Sequence, residues 1–203
     1  MRKYFNGPIY ETYTKMPLMV LKADMLRYAM LYVHGGIYAD SDTQCIKGIN
    51  EWIANYTDAE FIVSVEWYKD SHQIDAPQYR KTQIVQWTFA SIPAHPIFIN
   101  TLNEIVKVAS QATPEFLQNK DNVEGIGGPR VFTRFVQQFL EGRGETLDAM
   151  DKGIGDNRFY FEKSRVLVLP MFSFMAQLGK SEATGFVNHY FGGTYLSNGW
   201  KNA

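Results

Sequence analysis

The sequence predicts an α/β fold, because segments of helical and of strand pattern alternate along its 203 residues. Apolar residues recur at helical spacing over 18–33, and a run rich in β-branched and aromatic residues follows at 61–67. A helical pattern after Pro96 and an apolar strand pattern at 166–169 repeat the alternation. No internal repeat and no linker rich in Pro, Gly or Ser divides the chain, so we expect a single domain over residues 1–203.

The first predicted helix covers residues 18–33 and ends at two glycines. Its buried stripe is expected to consist of Leu21, Met25, Tyr28 or Ala29, and Tyr32. Gly35 and Gly36 end the helix, because glycine readily adopts the left-handed conformation that is common at helix C-termini. Two strands are predicted next, a short one at 37–40 and a clearer one at 61–67.

The later part of the chain predicts two further helices and one further strand. Residues 82–91 are apolar but fit a helix and a strand equally well. Pro96 suits the first turn of a helix that runs to about Ala112, with His95 at its start. Gly128 and Pro129 open another helix, whose apolar face is Val131, Phe132, Phe135, Val136 and Phe139. A strand is predicted at 166–169, and the aromatic tail at 186–200 is expected to form a loop.

Composition and charge exclude several classes of protein. The 21 acidic and 20 basic side chains give a net charge of −1, which argues against a nucleic-acid partner. The single cysteine, Cys45, excludes an internal disulfide scaffold and a thiolate metal cluster, and we expect it to be a small core residue. The longest apolar runs are shorter than the ~20 residues that span a bilayer, and no secretory signal begins the chain. We therefore expect a soluble protein.

Two polar motifs near the first helix have the residue types of a ligand site. Asp40-Ser41-Asp42 follows the predicted strand at 37–40; if this segment is extended, both carboxylates face the same way and suit Mg²⁺ or Mn²⁺. Asp24 and Arg27 share a helix face that differs from the apolar stripe. Each motif also has an ordinary explanation, a chance pair of aspartates and a surface or buried ion pair. The glycine turn between them predicts that an acid, a guanidinium and a metal-binding pair converge on one ligand.

These motifs together resemble glycosyltransferase family 32, which carries a D-x-D sugar-nucleotide motif. The resemblance is carried by 22–28 (KADMLRY), 32–36 and 37–43 (IYADSDT), and it is closest to the fungal initiating α-1,6-mannosyltransferase subgroup. Further matching segments follow in the same order, at 86–88, 93–96, 128–129, 168–170, 188–191 and 200–201. They span nearly the whole chain, so the set is specific even though each segment alone is not.

The resemblance implies a GT-A-like fold, with the D-x-D at the end of a strand, and a role for each matching residue. Asp40 and Asp42 would be catalytic: Asp40 would contact the donor sugar or the ribose, and Asp42 would ligate Mn²⁺ or Mg²⁺ bound to the donor diphosphate. Asp24 and Arg27 would hold sugar hydroxyls. His189 would complete the metal or diphosphate site, and Trp200 would cover the diphosphate with its indole N–H. Few residues precede the first helix, so we also expect that part of the N-terminal nucleoside-binding portion is missing. Truncation is the favoured explanation, and a shortened homologue that has lost much of its nucleoside pocket is the alternative.

The implied activity is a retaining, metal-dependent transfer of a hexose to a glycan acceptor. Mannose from GDP-mannose is favoured as donor, with a role in N-glycan mannosylation in the Golgi, although this chain has no membrane segment. Two alternatives stay open, an inositol-phosphoceramide glycosyltransferase of the same family and a non-catalytic remnant that binds a sugar or a partner. A phosphohydrolase that forms an aspartyl phosphate is disfavoured, because Thr43 and Gln44 stand in the wrong register for its signature. Glu66, at a strand end, is a candidate for the acceptor side.

Overall fold

A computed structural model describes residues 1–68, 82–152, 157–178 and 185–192. Within these residues the α-helices are α1 Pro8–Lys15, α2 Met19–His34, α3 Ile49–Ile53, α4 Pro96–Gln111, α5 Pro114–Gln118, α6 Val123–Ile126 and α7 Pro129–Glu141. The strands are β1 Gly36–Ala39, β2 Thr43–Cys45, β3 Phe61–Tyr68, β4 Thr82–Ile84, β5 Thr88–Ser91, β6 Phe159–Phe161, β7 Val166–Leu169 and β8 Val187–His189. The predicted α/β class is confirmed, and the ambiguous segment 82–91 forms two strands.

The main sheet has the strand order β1-β5-β3-β7-β6, and β4 pairs with β3 beside this path. β3 and β7 are parallel, whereas β5 is antiparallel to both β1 and β3. Strands β1, β3 and β7 therefore run in the same direction, and their C-terminal ends meet at one edge of the sheet. Asp40 directly follows β1 at this edge, Glu66 lies near the C-terminal end of β3, and Pro170 directly follows β7.

The sheet separates two apolar clusters, because neighbouring residues of a strand point to opposite faces. Phe61, Val63 and Val65 of β3 pack on one face with α2, α4 and α7, whose Tyr28, Phe98 and Phe132 are fully buried. Ile62 of β3 packs on the other face with Trp52, Phe174 and Phe186. Because apolar side chains pack on both faces of the sheet, the edge that carries Asp40 is held in place. Among the described helices, none is long and apolar enough to cross a membrane.

The turn between α2 and β1 depends on Gly35, which has a φ of +62°. Its N–H donates to the carbonyl of Leu31, and a Cβ at this position would lie 2.6 Å from the backbone nitrogen of Pro93. A side chain is therefore excluded both by conformation and by space. This turn directs the chain from the end of α2 into β1, and so fixes the D-x-D segment relative to Asp24 and Arg27.

Two expectations about the edge of the fold are wrong. The start of the tail is not a loop, since β8 pairs antiparallel with β2 and places His189 opposite Thr43. Three-residue strands carry too little alternation to be visible in the sequence, and their pairing is set by a contact between distant segments. Cys45 is not a core residue but is exposed, because it lies on this outlying two-stranded ribbon.

Candidate functional site

The D-x-D segment forms a turn between β1 and β2. The backbone N–H and the hydroxyl of Thr43 both donate to the carbonyl of Asp40, at 3.1 Å and 2.7 Å. The N–H of Asp40 donates to the carbonyl of Trp87 at 2.8 Å, which ties the turn to the start of β5. The expectation that Asp40 and Asp42 align along an extended segment is therefore wrong. Their carboxylates converge because the chain reverses at this point.

Asp40, Asp42 and His189 form a group that could hold a metal ion. One ligand atom from each lies within 4.8 Å of the other two. The β2–β8 pairing carries His189 to the turn, where its Nε2 is 3.4 Å from Oδ1 of Asp42. The chain after β8 also holds Asp42, since the N–H of Gly192 donates to Oδ2 at 2.8 Å. Two carboxylates and one imidazole fit a divalent cation such as Mn²⁺ or Mg²⁺.

The imidazole of His189 is held by an aromatic neighbour. It stacks on the indole of Trp87 with ring centroids 4.5 Å apart and planes 8° from parallel. The indole N–H of Trp87 in turn donates to the carbonyl of Phe174 at 2.8 Å. Burial lowers the pKa of His189 although Asp42 and Asp40 oppose that shift. The side chain is therefore favoured in the neutral form that binds metals.

A buried ion pair lies directly beside the D-x-D turn. Asp24 and Arg27 are only 2% and 6% exposed, and the guanidinium nitrogen Nη2 lies 3.3 Å from Oδ1 of Asp24. The same nitrogen lies 3.4 Å from Oδ1 of Asp40, which also accepts a hydrogen bond from the hydroxyl of Tyr38. The structure thus brings Asp24, Arg27 and Asp40 close together. Tyr38, which has no predicted role, donates a hydrogen bond to Asp40.

Gln86 connects the ion pair to the core of the fold. Its Nε2 lies 3.0 Å from Oδ1 of Asp24, 2.7 Å from the hydroxyl of Tyr28 and 2.9 Å from the carbonyl of Gly127, and its two N–H groups are shared among these acceptors. Its backbone carbonyl accepts a hydrogen bond from Nη1 of Arg27 at 2.8 Å. In the sequence, Gln86 stands out only as part of a segment that matches the family. A glutamine has no local pattern that would reveal a buried bridging role.

Asp24 and Arg27 each retain a polar atom that lacks a described hydrogen-bond partner. These atoms are Oδ2 of Asp24 and Nε of Arg27. Burial raises the pKa of Asp24 to about 6, while Arg27 and Gln86 act in the opposite direction. A Cβ on Gly127 would lie 3.1 Å from Oδ2 of Asp24, so the turn before α7 covers this oxygen. The remaining predicted site residue, Trp200, lies outside the described residues.

Part of the sequence matches a family of glycosyltransferases. Residues 3–59 match the family described as "Glycosyltransferase sugar-binding region containing DXD motif". The matched range includes Asp24, Arg27, Asp40 and Asp42, and ends before His189. The predicted resemblance is confirmed: the chain is similar to the DXD glycosyltransferases.

Individual proteins similar to this chain include fungal mannosyltransferases. The chain is 29% identical to the initiation-specific α-1,6-mannosyltransferase of Schizosaccharomyces pombe, over 92% of this chain and 50% of that protein. It is 25% identical to the enzyme of the same name from Candida albicans, over 94% of this chain and 58% of that protein. The chain thus spans about half the length of the curated relatives it matches. Among solved structures it is similar to the PaToxG glycosyltransferase, with a TM-score of 0.47 and 20% identity over 70% of this chain and 44% of that one.

Proposed function

We propose that the chain carries the donor site of a metal-dependent, retaining mannosyltransferase that uses GDP-mannose and a glycan acceptor in N-glycan mannosylation. The observation that carries this proposal is the convergence of Asp40, Asp42 and His189 beside the buried pair Asp24–Arg27. The names of the fungal relatives support mannose as the transferred sugar. The glycan acceptor is proposed from the family resemblance. The Golgi is the proposed location, on the strength of the family resemblance.

The residues of the site divide into a metal side and a sugar side. Asp42 and His189 would hold Mn²⁺ or Mg²⁺, which when bound neutralises negative charge on the donor diphosphate. Asp40 would contact the donor sugar, because its Oδ1 is already engaged by Arg27 and Tyr38. The catalytic roles of Asp40 and Asp42 therefore differ although both belong to one motif.

Asp24 and Arg27 would bind hydroxyl groups of the donor sugar. A carboxylate oxygen accepts and a guanidinium N–H donates, which together match two neighbouring hydroxyls. A buried polar atom without a partner costs about 1–3 kcal/mol, so a hydroxyl that reaches Oδ2 of Asp24 or Nε of Arg27 would recover that free energy. Both atoms lie below the surface, and the sugar would reach them on a small displacement of the turn at Gly127.

Transfer with retention, as the resemblance implies, is proposed to occur by front-face attack. The acceptor hydroxyl oxygen forms a bond to the anomeric carbon while the bond from that carbon to the diphosphate oxygen breaks. The hydroxyl proton passes to the departing diphosphate, and the electron pair of the broken bond stays on the diphosphate. Arg27 and Asp40 keep the sugar oriented during this step. Trapping a glycosyl adduct on any Asp or Glu of the chain would refute this mechanism.

Calorimetry of the chain against a panel of nucleotide sugars tests the proposal. We expect GDP-mannose to bind only with Mn²⁺ or Mg²⁺ present, and Asp42→Asn to weaken that binding at least about tenfold. The matched control is Asp121→Asn, an exposed carboxylate that should leave binding unchanged. Sugar binding that needs no metal and is unchanged when Asp40 or Asp42 is substituted would instead indicate a non-catalytic binding module. Phosphatase turnover without a nucleotide sugar would indicate a phosphohydrolase.

A further inference from the structure

Glu66 lies at the edge of the sheet that carries the proposed donor site. It stands near the C-terminal end of β3, which runs in the same direction as β1. Asp40 directly follows β1, so both carboxylates belong to the edge where C-terminal strand ends meet. In open α/β sheets this edge is where ligands bind. No role in the proposed donor site has been given to Glu66.

The strand is irregular at this residue. Val65 pairs with Ile84, and Trp67 pairs with Gln83, so Glu66 falls at a shift of register between β3 and β4. Such bulges redirect a side chain and are frequent next to active sites. The carboxylate of Glu66 accepts a hydrogen bond from Nε2 of Gln83 at 2.7 Å, which fixes its direction at the bulge.

The surroundings of Glu66 disfavour its charge. Burial raises the pKa of Glu66 to about 7; the hydrogen bond from Gln83 lowers it, and the charge of Glu124 on α6 raises it further. Glu124 itself pairs with Arg130 at the start of α7, at 2.9 Å. A glutamine at position 66 would satisfy Gln83 without the cost of a half-buried carboxylate. The charged residue is therefore not needed for packing, which points to a ligand.

Helix α6 joins Glu66 to the donor side of the site. Glu124 near its start acts on Glu66, and Gly127 directly after its end accepts hydrogen bonds from Gln86 and from the hydroxyl of Tyr28. A Cβ at Gly127 would lie 3.0 Å from that of Asp24, so this turn lies close beside Asp24. Helix α6 thus carries at its start the charge that acts on Glu66, and ends at the turn beside the buried ion pair.

We propose that Glu66 is an acceptor-binding residue, whose carboxylate accepts a hydrogen bond from a hydroxyl group of the glycan acceptor. This inference rests on the proposed function and adds a residue for the second substrate. A carboxylate at the C-terminal end of β3 can meet a hydroxyl that approaches the donor sugar from the β3–α6 side. A hydrogen bond to a charged acceptor is stronger than one to a neutral amide, which favours Glu over Gln at this position.

The test measures acceptor and donor binding separately on the full chain. Methyl α-mannoside serves as the acceptor probe, and its affinity for the chain loaded with GDP and Mn²⁺ is measured by ligand-observed NMR. We expect Glu66→Gln to weaken binding of the mannoside about tenfold and to leave the affinity for GDP unchanged. The control is Glu60→Gln, which lies just before the opposite end of β3 and pairs with exposed Arg165, and which should change neither affinity.

A pH series distinguishes acceptor binding by Glu66 from a purely structural role of this residue, which would not make mannoside binding depend on pH. Mannoside binding to the parent chain should tighten as pH rises through about 7, and this dependence should be absent in Glu66→Gln. Equal mannoside affinity in Glu66→Gln and the parent chain would overturn the inference, as would a joint loss of GDP and mannoside binding. If the parent chain binds GDP but no mannoside, the inference fails while the donor site stands. If it binds neither, the proposed function fails.

Discussion

Substitution of Arg27 by methionine tests whether the buried ion pair is essential to the site. The guanidinium of Arg27 is the cationic partner of Asp24 and also lies beside Asp40, and it donates to the carbonyl of Gln86. Methionine fills part of the volume but supplies no charge and no donor. The variant therefore leaves Asp24 buried without its cation and releases Asp40 from one of its two side-chain partners.

The expected loss follows from the burial of the pair. With Asp24 and Arg27 only 2% and 6% exposed, removal of one partner should lower the free energy of unfolding by about 3–5 kcal/mol at pH 7–8. Arg27 lowers the pKa of Asp24, which already stands at about 6, so Asp24 in the variant should take up a proton more readily. The loss should therefore be smaller at pH 5, where the buried carboxylate is neutral.

Urea denaturation, followed by far-ultraviolet circular dichroism at both pH values, measures this loss. The matched control is Arg130→Met, since Arg130 and Glu124 form an ion pair that is 63% and 44% exposed and should contribute at most about 1 kcal/mol. Adding Asp24→Asn to Arg27→Met should restore part of the stability, because no buried charge is left alone. If Arg27→Met costs no more than Arg130→Met, the buried pair does not stabilise the fold around the site as its burial predicts.

Two further substitutions test the core of the fold and the turn beside the site. Burial, assisted by Arg143, lowers the pKa of His95 from 6.5 to about 4. The parent chain should therefore lose about 3 kcal/mol of stability relative to His95→Phe as pH falls from about 7.5 to about 4, with no difference in slope above about 7.5. Parallel denaturation curves for the two proteins below pH 6 would contradict this assignment. A Cβ on Gly127 would lie 3.0 Å from that of Asp24, so Gly127→Ala should displace Asp24 and weaken GDP-mannose binding several-fold in calorimetry. The control is Gly125→Ala, whose added Cβ meets no atom within 4 Å and should leave GDP-mannose binding unchanged. Equal weakening by Gly125→Ala and Gly127→Ala would reject the explanation that Gly127→Ala acts by displacing Asp24.

The helices and long strands could be predicted because their patterns are local. The apolar repeat over 18–33 corresponds to α2, and the pattern at 61–67 corresponds to β3. The ribbon of β2 and β8 could not be predicted, since each strand has three residues and pairs with a partner more than 140 positions away. Helix α1 was also not predicted, although Pro8 stands at its first position as helix starts favour.

The same distinction holds for the candidate site. Asp24, Arg27, Asp40 and Asp42 lie within 19 consecutive residues, and their residue types and spacing suffice to group them. His189 was grouped with them only through the family resemblance, because its approach depends on the β2–β8 pairing. The bridging role of Gln86 has no signal in the sequence, since it results from contacts with two distant segments, α2 and the turn at Gly127, rather than from a motif.

The two carboxylates of the D-x-D turn are held by different kinds of partner, and this difference supports their different proposed roles. Oδ1 of Asp40 is engaged by a buried guanidinium and by the hydroxyl of Tyr38, which fix its position and balance its charge from within the fold. Asp42 is held by the N–H of Gly192 and lies beside an imidazole whose neutral form is favoured. A neutral imidazole balances no charge, so the negative charge of Asp42 is the one more available to a cation. The asymmetry thus favours Asp42 and His189 as metal ligands and Asp40 as the residue that orients the sugar.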